Sequence, residues 1–179
     1  MPKMLSILVV VFILLCSCAP HYSVPENAKI IPGVPFYPQE DYQCGPASLA
    51  TVMNYWQARS NKEKIGVKEI TDAIYSRGAR GVLPSDLENY PVTRGFITHQ
   101  FEGSIEDLRG HVDQGIPVII FVDQGLSIYQ VNHFMVVTGY TDNGVVVNDG
   151  RREKEVITNS RLEKTWKRTG YWALRVVPS

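Results

Sequence analysis

The sequence contains little cysteine, with only Cys16, Cys18 and Cys44 in 179 residues. The first two lie close together in the N-terminal segment, so Cys44 is the one cysteine of the chain that follows it. A single thiol cannot form an intramolecular disulfide, which excludes a disulfide-stabilised scaffold. A buried structural cysteine is the alternative, but a lone thiol in an exported chain favours a functional role for Cys44.

The sequence also lacks an excess of charge of either sign. It has 18 Lys and Arg against 18 Asp and Glu, for a formal net charge of zero at pH 7. No basic stripe is present, so the charge pattern argues against a nucleic-acid partner. Internal repeats and low-complexity tracts are absent as well, which excludes a repeat architecture.

No apolar run is long enough for a comfortable membrane span. The longest candidate, residues 5–15, follows Lys3 and suits the hydrophobic region of a secretory signal peptide. It ends in a Leu-Cys-Ser-Cys run that resembles the lipobox of bacterial lipoproteins. The resemblance implies a signal peptide over residues 1–17 and lipidation of the Cys18 thiol. Plain cleavage near Ala19, or an uncleaved anchor, is the alternative.

The lipobox resemblance places the chain in the bacterial cell envelope, anchored to a membrane by lipid. Ala19 instead of aspartate after the modified cysteine resembles the outer-membrane address of Gram-negative lipoproteins. Residues 18–33 are polar and carry three prolines, which predicts a tether of up to ~50 Å. Residues 34–179 then form one domain, because the 179 − 17 = 162 residues left after cleavage suffice for a single core.

Cys44 lies where extended chain meets a predicted helix. Pro35 and Pro38 forbid regular helix before it, and Pro46 occupies a first-turn position where proline is tolerated. The apolar residues that follow recur at helical spacing, at Leu49, Val52, Met53 and Trp56. A thiol in the first turn meets unpaired N–H groups and the positive end of the helix dipole, which favours its thiolate. We therefore predict that Cys44 is a nucleophile.

The remaining pattern predicts helices first and a mostly antiparallel sheet afterwards, an α+β plan. Short helices are indicated over residues 67–75 and after Ser85, and a capping pattern at Ser104 opens another. The uninterrupted apolar run 117–122 predicts a central strand. Residues 131–140 and 145–149 predict a hairpin around an Asn-Gly turn, and later strands are predicted near 155–158 and 171–177.

A cysteine nucleophile needs a base, and the four histidines are the candidates. His21 lies in the tether, and His111 lies in an amphipathic helix. His99 lies in a weak strand and has no acidic neighbour downstream in a hairpin. His133 opens a core strand, and an acidic residue ends the next strand. We therefore predict that His133 is the general base.

Two supporting roles have alternatives at this level. A two-residue turn in the hairpin would put Asn148 on the face of His133, whereas a three-residue turn would put Asp149 there. For the oxyanion, Gln39 on the extended approach is a suitable amide donor. Gln43 is the alternative, although a residue adjacent to the cysteine tends to point away from it. Either glutamine could also be a solvated loop residue.

Together these residues resemble the papain-like cysteine peptidases, and among them the bacteriocin-processing, double-glycine-leader peptidases and their stand-alone relatives. The resemblance covers nearly the whole mature chain and rests on the order Gln39, Cys44, His133, Asp149. It implies a papain-like α+β fold, a peptide substrate, no cofactor and no metal. It also implies the roles of oxyanion donor for Gln39, nucleophile for Cys44, general base for His133 and orienting group for Asp149.

The chain differs from exporter-linked members of that family in having Gln43 instead of an acidic residue, and Gly150 instead of proline after the aspartate. An export system as a partner is implied by the resemblance alone. Three other functions are compatible with the sequence. Phytochelatin synthases share a similar Cys-Gly-x-Ala-Ser start, which allows acyl transfer to an amine or thiol. A catalytically silent peptide-binding module and a purely structural envelope lipoprotein are the others.

Overall fold

The structure, a computed structural model, describes residues 24–126 and 128–179. The predicted signal peptide, Cys18 and His21 lie outside these residues. In chain order the elements are β1 (Lys29–Ile30), α1 (Cys44–Arg59), α2 (Val67–Ile74), α3 (Pro84–Val92), β2 (Phe96–Glu102), α4 (Ile105–Asp113), β3 (Val118–Asp123), β4 (Asn132–Thr141), β5 (Gly144–Asn148), β6 (Glu155–Thr158), α5 (Asn159–Trp166), a 3-10 turn (Lys167–Thr169) and β7 (Trp172–Pro178). None of the helices in this part of the chain is both long and apolar enough to cross a membrane.

The strands form one sheet in the order β2-β7-β3-β4-β5-β6, and β1 pairs with the far end of β4. Every neighbouring pair is antiparallel. The apolar run predicted as a central strand is β3, which pairs with β4 on one side and with β7 on the other. The predicted α+β plan of helices packed on a mostly antiparallel sheet is therefore confirmed.

Helices cover both faces of the sheet, and each face has its own apolar core. One core joins α1, α2 and α3 to residues such as Ile119, Val136 and Leu174. The other joins α4 and α5 to alternate residues of the same strands, such as Ile120 and Val137. Because side chains alternate along a strand, the central strands are buried on both sides, as their unbroken apolar sequence indicates.

The first long helix is more deeply buried than its predicted apolar stripe indicates. Every residue of α1 from Gly45 to Tyr55 is buried, including Ser48, Thr51 and Asn54. The cause is that α1 contacts the sheet as well as α2 and α3. Its small residues allow this close packing, and the Asn54 amide makes hydrogen bonds with both the N–H and the carbonyl of Ile65.

Helix starts were predicted with mixed success. The capping pattern at Ser104 is confirmed, since its hydroxyl accepts the Asp107 N–H at 3.1 Å and the Asp107 carboxylate accepts the Ser104 N–H at 2.9 Å. Ser85 is not the cap of α3. That helix begins one residue earlier, at Pro84, because a first-turn proline loses no hydrogen bond.

The predicted tether over residues 18–33 extends too far toward the domain. Lys29 and Ile30 pair with Tyr140 and Gly139 of β4, and Ile31 is 3 % exposed within a core. The folded domain therefore begins near residue 29 instead of residue 34. The apolar pair Ile30-Ile31 explains the difference, since its burial outweighs the polar, proline-rich character of the surrounding segment.

Candidate active site

A cavity of about 720 Å³ opens where the first turn of α1 meets the start of β4. Gln39, Cys44 and His133 line it together, although they are far apart in the sequence. Asp149 lies behind His133 and lines a neighbouring cleft. Gln43 does not line the cavity: its side chain turns back to the preceding loop, where it accepts the Glu40 N–H at 3.4 Å. Three of the four residues predicted to act together therefore share one cavity.

Cys44 is the first residue of α1, and its thiol is partly buried. Burial raises the pKa of the thiol above its ordinary value, while main-chain hydrogen bonds with Phe134, Gly45 and Cys44 itself lower it by a smaller amount. The expectation that the helix start yields a thiolate is therefore wrong for the free protein. The N–H groups act in the predicted direction, but the loss of solvent around the sulfur outweighs them.

His133 is buried at the beginning of β4. Burial lowers the pKa of its imidazole, and the charge of Arg151 lowers it further, while contact with Asp149 raises it. Nε2 of the ring lies 2.8 Å from the main-chain carbonyl oxygen of Asp149. A carbonyl oxygen can only accept a hydrogen bond, so Nε2 carries the proton and Nδ1 is the basic nitrogen of the neutral ring.

Asp149 contacts the imidazole through its main chain, not through its carboxylate. The carboxylate oxygen Oδ1 accepts the N–H groups of Arg151 at 2.7 Å and of Arg152 at 2.6 Å. These bonds close the turn that follows β5 and fix the direction of the Asp149 carbonyl. The negative charge still favours the protonated imidazole of His133.

A β-bulge brings Asp149 to the face of His133. At the turn, Thr141 lies opposite Gly144, so an odd-numbered residue of β4 shares a face with an even-numbered residue of β5. The register shifts between Val137 and Gly139, and beyond that point Val137 lies opposite Val147. The two-residue turn alone would have placed Asn148 beside His133, and the extra residue in β4 reverses this.

The side chain of Asn148 lies on the other face of the sheet, where it forms two hydrogen bonds. Its side-chain amide donates to the Pro35 carbonyl at 3.3 Å, and its oxygen accepts the Lys154 N–H at 3.0 Å. The bulge is itself tied down, because the Thr138 carbonyl within it accepts the Ile31 N–H at 2.8 Å. The N-terminal strand thus supports the register that places Asp149 beside His133.

Gln39 is held against the same turn as Asp149. Its N–H donates to the Gly150 carbonyl at 2.8 Å. Its side-chain oxygen is buried and has no hydrogen-bond partner among the described residues. Gly150 makes this approach possible, since it has a φ of +80° and no side chain. Proline, whose φ is fixed near −65°, cannot adopt that conformation.

The other described histidines lie away from the cavity. The ring of His99 stacks on Phe101 with centroids 5.8 Å apart, and the ring of His111 stacks on the same residue at 5.3 Å. Neither lines the cavity that holds Cys44. In the described ranges, no group of three or more His, Cys, Asp and Glu side chains is arranged to bind a metal ion.

Arg151 is a functional candidate that the sequence pattern did not reveal. It lines the cavity, and its charge lowers the pKa of both Cys44 and His133. The one sequence feature that could have indicated Arg151 is its position two residues after Asp149. That signal carries weight only once the turn after β5 is known to bend back toward the thiol.

Substitution of Gly150 by alanine is expected to reduce kcat by ~10-fold to 100-fold, because a Cβ there would overlap the Gln39 amide and displace the predicted oxyanion donor. The Cδ of Gln39 would lie 2.9 Å from that Cβ. Gly95→Ala is the matched control, with a φ of +77° and no atom within 4 Å of the added Cβ. Both variants carry about 1–2 kcal/mol of backbone strain. Equal kcat in the two variants would show that the Gly150 contact has no catalytic importance.

With His133 as the predicted base, the pH profile of kcat/KM is expected to have its acid midpoint below pH 6.5, because activity falls when the imidazole becomes protonated and burial lowers its pKa. Arg151→Gln should move both the acid limb, set by His133, and the alkaline limb, set by Cys44, to higher pH. The reason is that the positive charge of Arg151 lowers the pKa of both side chains. Arg152→Gln is the control, since Arg152 is not among the groups that perturb either pKa. A profile that does not move in Arg151→Gln would contradict this account of the electrostatics.

A family model matches most of the chain. The Peptidase_C39 like family aligns with residues 31–174, which includes every residue proposed for the cavity. The search of curated proteins gives no significant match.

Solved structures with the same fold include two peptidases of transporters and a putative C39-like peptidase. The peptidase domain of Streptococcus ComA, described as a bi-functional ABC transporter involved in quorum sensing, superposes with a TM-score of 0.65 at 22% identity, covering 82% of this chain and 99% of that one. A putative C39-like peptidase from Bacillus anthracis superposes with a TM-score of 0.66 at 19% identity, covering 86% of this chain and 99% of that one. A double glycine motif protease from an AMS/PCAT transporter, solved in complex with the leader peptide, superposes with a TM-score of 0.64 at 21% identity. The superposition covers 87% of this chain and 97% of that one. These similarities establish a shared fold.

Proposed function

Because this chain belongs to the Peptidase_C39 like family and is a cysteine peptidase, we propose that it hydrolyses peptide bonds with Cys44 as the nucleophile and His133 as the general base. The observation that carries this assignment is the shared cavity, which Cys44 and His133 both line, together with the hydrogen bond at 2.8 Å from Nε2 of the imidazole to the Asp149 carbonyl. Asp149 is the orienting residue, and Gln39 is the oxyanion donor.

The reaction begins from a neutral pair. Burial raises the pKa of the Cys44 thiol and lowers that of the His133 imidazole, so both groups are uncharged near pH 7. As Sγ attacks the scissile carbonyl carbon, Nδ1 of His133 accepts the thiol proton. The new negative charge on the substrate oxygen is stabilised by the Cys44 N–H and by the Gln39 side-chain amide.

The same proton then leaves with the amine. Collapse of the tetrahedral intermediate breaks the C–N bond, and the imidazolium of His133 protonates the departing nitrogen. This leaves a thioester between the acyl part of the substrate and Cys44. Water attacks the thioester with Nδ1 of His133 as its base, which releases the carboxylic acid and restores the thiol. The Asp149 carbonyl holds the ring in place through both steps.

The function can be tested by incubating the chain with a peptide library and identifying new termini by mass spectrometry. Hydrolysis should produce a free carboxylic acid on each N-terminal fragment. Adding glutathione as a second acceptor separates this reaction from acyl transfer, which would yield glutathione conjugates. Absence of new termini under all conditions would contradict the proposed function and favour a peptide-binding module.

The proposed peptidase acts at a membrane surface in the cell envelope. The lipobox-like sequence ending at Cys18 supports anchoring by lipid, and the polar segment before β1 supports a short tether. The substrate is then a peptide or protein in the same compartment, supplied for example by an export system. In the proposed setting, Cys18→Ser should move the protein from the membrane fraction to the soluble fraction, and unchanged fractionation would contradict lipidation.

A further inference from the structure

A second cleft of about 520 Å³ adjoins the active-site cavity. The two share lining residues, since Gln124 and Arg151 border both. Met135 and Leu162 lie among the lining residues of the second cleft and are buried. A peptide bound at Cys44 therefore has a second depression within reach on the far side of Arg151.

The rim of this second cleft is strongly basic. It carries five cationic residues against two acidic ones, namely Arg151, Arg152, Arg161, Lys164 and Arg168 against Asp149 and Glu155. The whole chain has no net charge, so the concentration of positive charge here is local. Such a concentration attracts anionic groups and raises their local concentration.

Part of this charge is neutralised within the protein. Arg152 forms an ion pair with Glu155 at 3.2 Å, and Arg168 forms one with Asp123 at 2.9 Å. Asp149 forms no ion pair with the remaining cations: its Oδ1 accepts two main-chain N–H groups of the turn, and its negative charge offsets part of the positive charge of the rim.

Three cations of the cleft are left without an ion-pair partner among the described residues. They are Arg151, Arg161 and Lys164, and all three are exposed. Like charges placed around one depression repel one another, and an anion bound between them removes that repulsion. Guanidinium and ammonium groups that converge on one depression form charge-assisted hydrogen bonds with a carboxylate.

We propose that this basic cleft binds a carboxylate of the peptide substrate and makes the enzyme selective for acidic peptides. The proposal rests on the proposed peptidase function, because Arg151 joins the cleft to the cavity that holds Cys44 and His133. The carboxylate belongs either to a Glu or Asp side chain or to the C-terminus of the substrate. Arg161 and Lys164 determine specificity and take no part in bond cleavage.

Binding to Cys44→Ala protein tests this assignment without requiring turnover. The probes are short fluorescent peptides of Ala, Gly and Leu that carry one Glu, or Gln in its place, at each position in turn. Each is made with a free and with an amidated C-terminus, which separates the two sources of carboxylate. Fluorescence anisotropy then gives the dissociation constant of every peptide at low salt.

The best carboxylate-containing peptide is expected to bind roughly threefold to tenfold more tightly than its neutral counterpart, as two exposed cations allow. Adding Arg161→Gln and Lys164→Gln should remove this preference. Lys62→Gln with Lys64→Gln is the matched control: it removes the same charge from an exposed loop at the opposite end of α1 from Cys44, and should preserve the preference.

Equal binding of all charged and neutral peptides would overturn the cleft assignment. So would a preference that survives in the Arg161→Gln, Lys164→Gln protein. The wild-type chain is tested separately for hydrolysis of the same peptides. Cleavage without a charge preference refutes only the cleft, whereas failure to cleave any peptide refutes the peptidase function.

Discussion

Cys44→Ala is expected to lower kcat/KM for peptide hydrolysis by ~10⁴-fold or more, because no other described cysteine can form the thioester. The cavity and the oxyanion donors remain, so substrate binding should change little. The measurement is the initial rate with a fluorogenic peptide chosen from the cleaved members of the library.

Two controls separate chemistry from folding in that experiment. Cys44→Ser keeps the size and polarity of the side chain and should still lose most activity, since a serine hydroxyl at this position is a weaker nucleophile than a thiol. Thermal unfolding should show that both variants remain folded. Residual activity within tenfold of wild type in Cys44→Ala would exclude Cys44 as the nucleophile.

His133→Ala is expected to lower kcat/KM by ~10³-fold to 10⁴-fold at pH 7. The burial that raises the pKa of the Cys44 thiol then becomes a disadvantage, because little thiolate forms without the imidazole. Two further results follow from this reasoning. Activity of the variant should rise as the pH is increased toward the thiol pKa, and added imidazole should restore part of it, since the cavity of about 720 Å³ is open to solvent.

His99→Ala is the matched control for that variant. His99 is exposed in β2, stacks on Phe101 and does not line the cavity. It should retain wild-type activity. If His133→Ala were as active as His99→Ala, another group would have to be the base and the proposed pair would be wrong.

Much of the fold could be predicted from local pattern. The unbroken apolar run of β3 is typical of a strand covered on both faces, and the sheet places it in the middle. The helical spacing after Cys44 predicted α1, and the reciprocal capping pattern of Ser104 and Asp107 predicted the start of α4. In each case the signal is contained within a few adjacent residues, so no knowledge of tertiary contacts is needed.

Features that depend on tertiary contacts could not be predicted in the same way. The bulge at Thr138 accepts a hydrogen bond from Ile31, which is more than one hundred residues away, and the bulge places Asp149 instead of Asn148 beside His133. The tether ends earlier than predicted for the same reason, since the pairing of Lys29 and Ile30 with β4 is also a contact between distant parts of the chain. The raised pKa of Cys44 is also tertiary, since it results from the protein that surrounds the helix start.

The choice between the two glutamines illustrates the limit of local reasoning. Gln39 and Gln43 are both polar residues on the approach to the thiol, and the sequence favours Gln39 only through its spacing. The structure adds a specific reason, because Gln39 packs against Gly150 in the turn that also presents the Asp149 carbonyl. One turn therefore positions both the proposed base and the proposed oxyanion donor.

The most direct test of the central claim is a titration with a peptidyl chloromethyl ketone built on a cleaved sequence. We predict that intact-mass spectrometry will show a single adduct, that digestion will locate it on Cys44, and that activity will fall in proportion to the alkylated fraction. Alkylation should be slower in the presence of substrate and in His133→Ala. Full peptidase activity in protein completely alkylated at Cys44 would contradict the account.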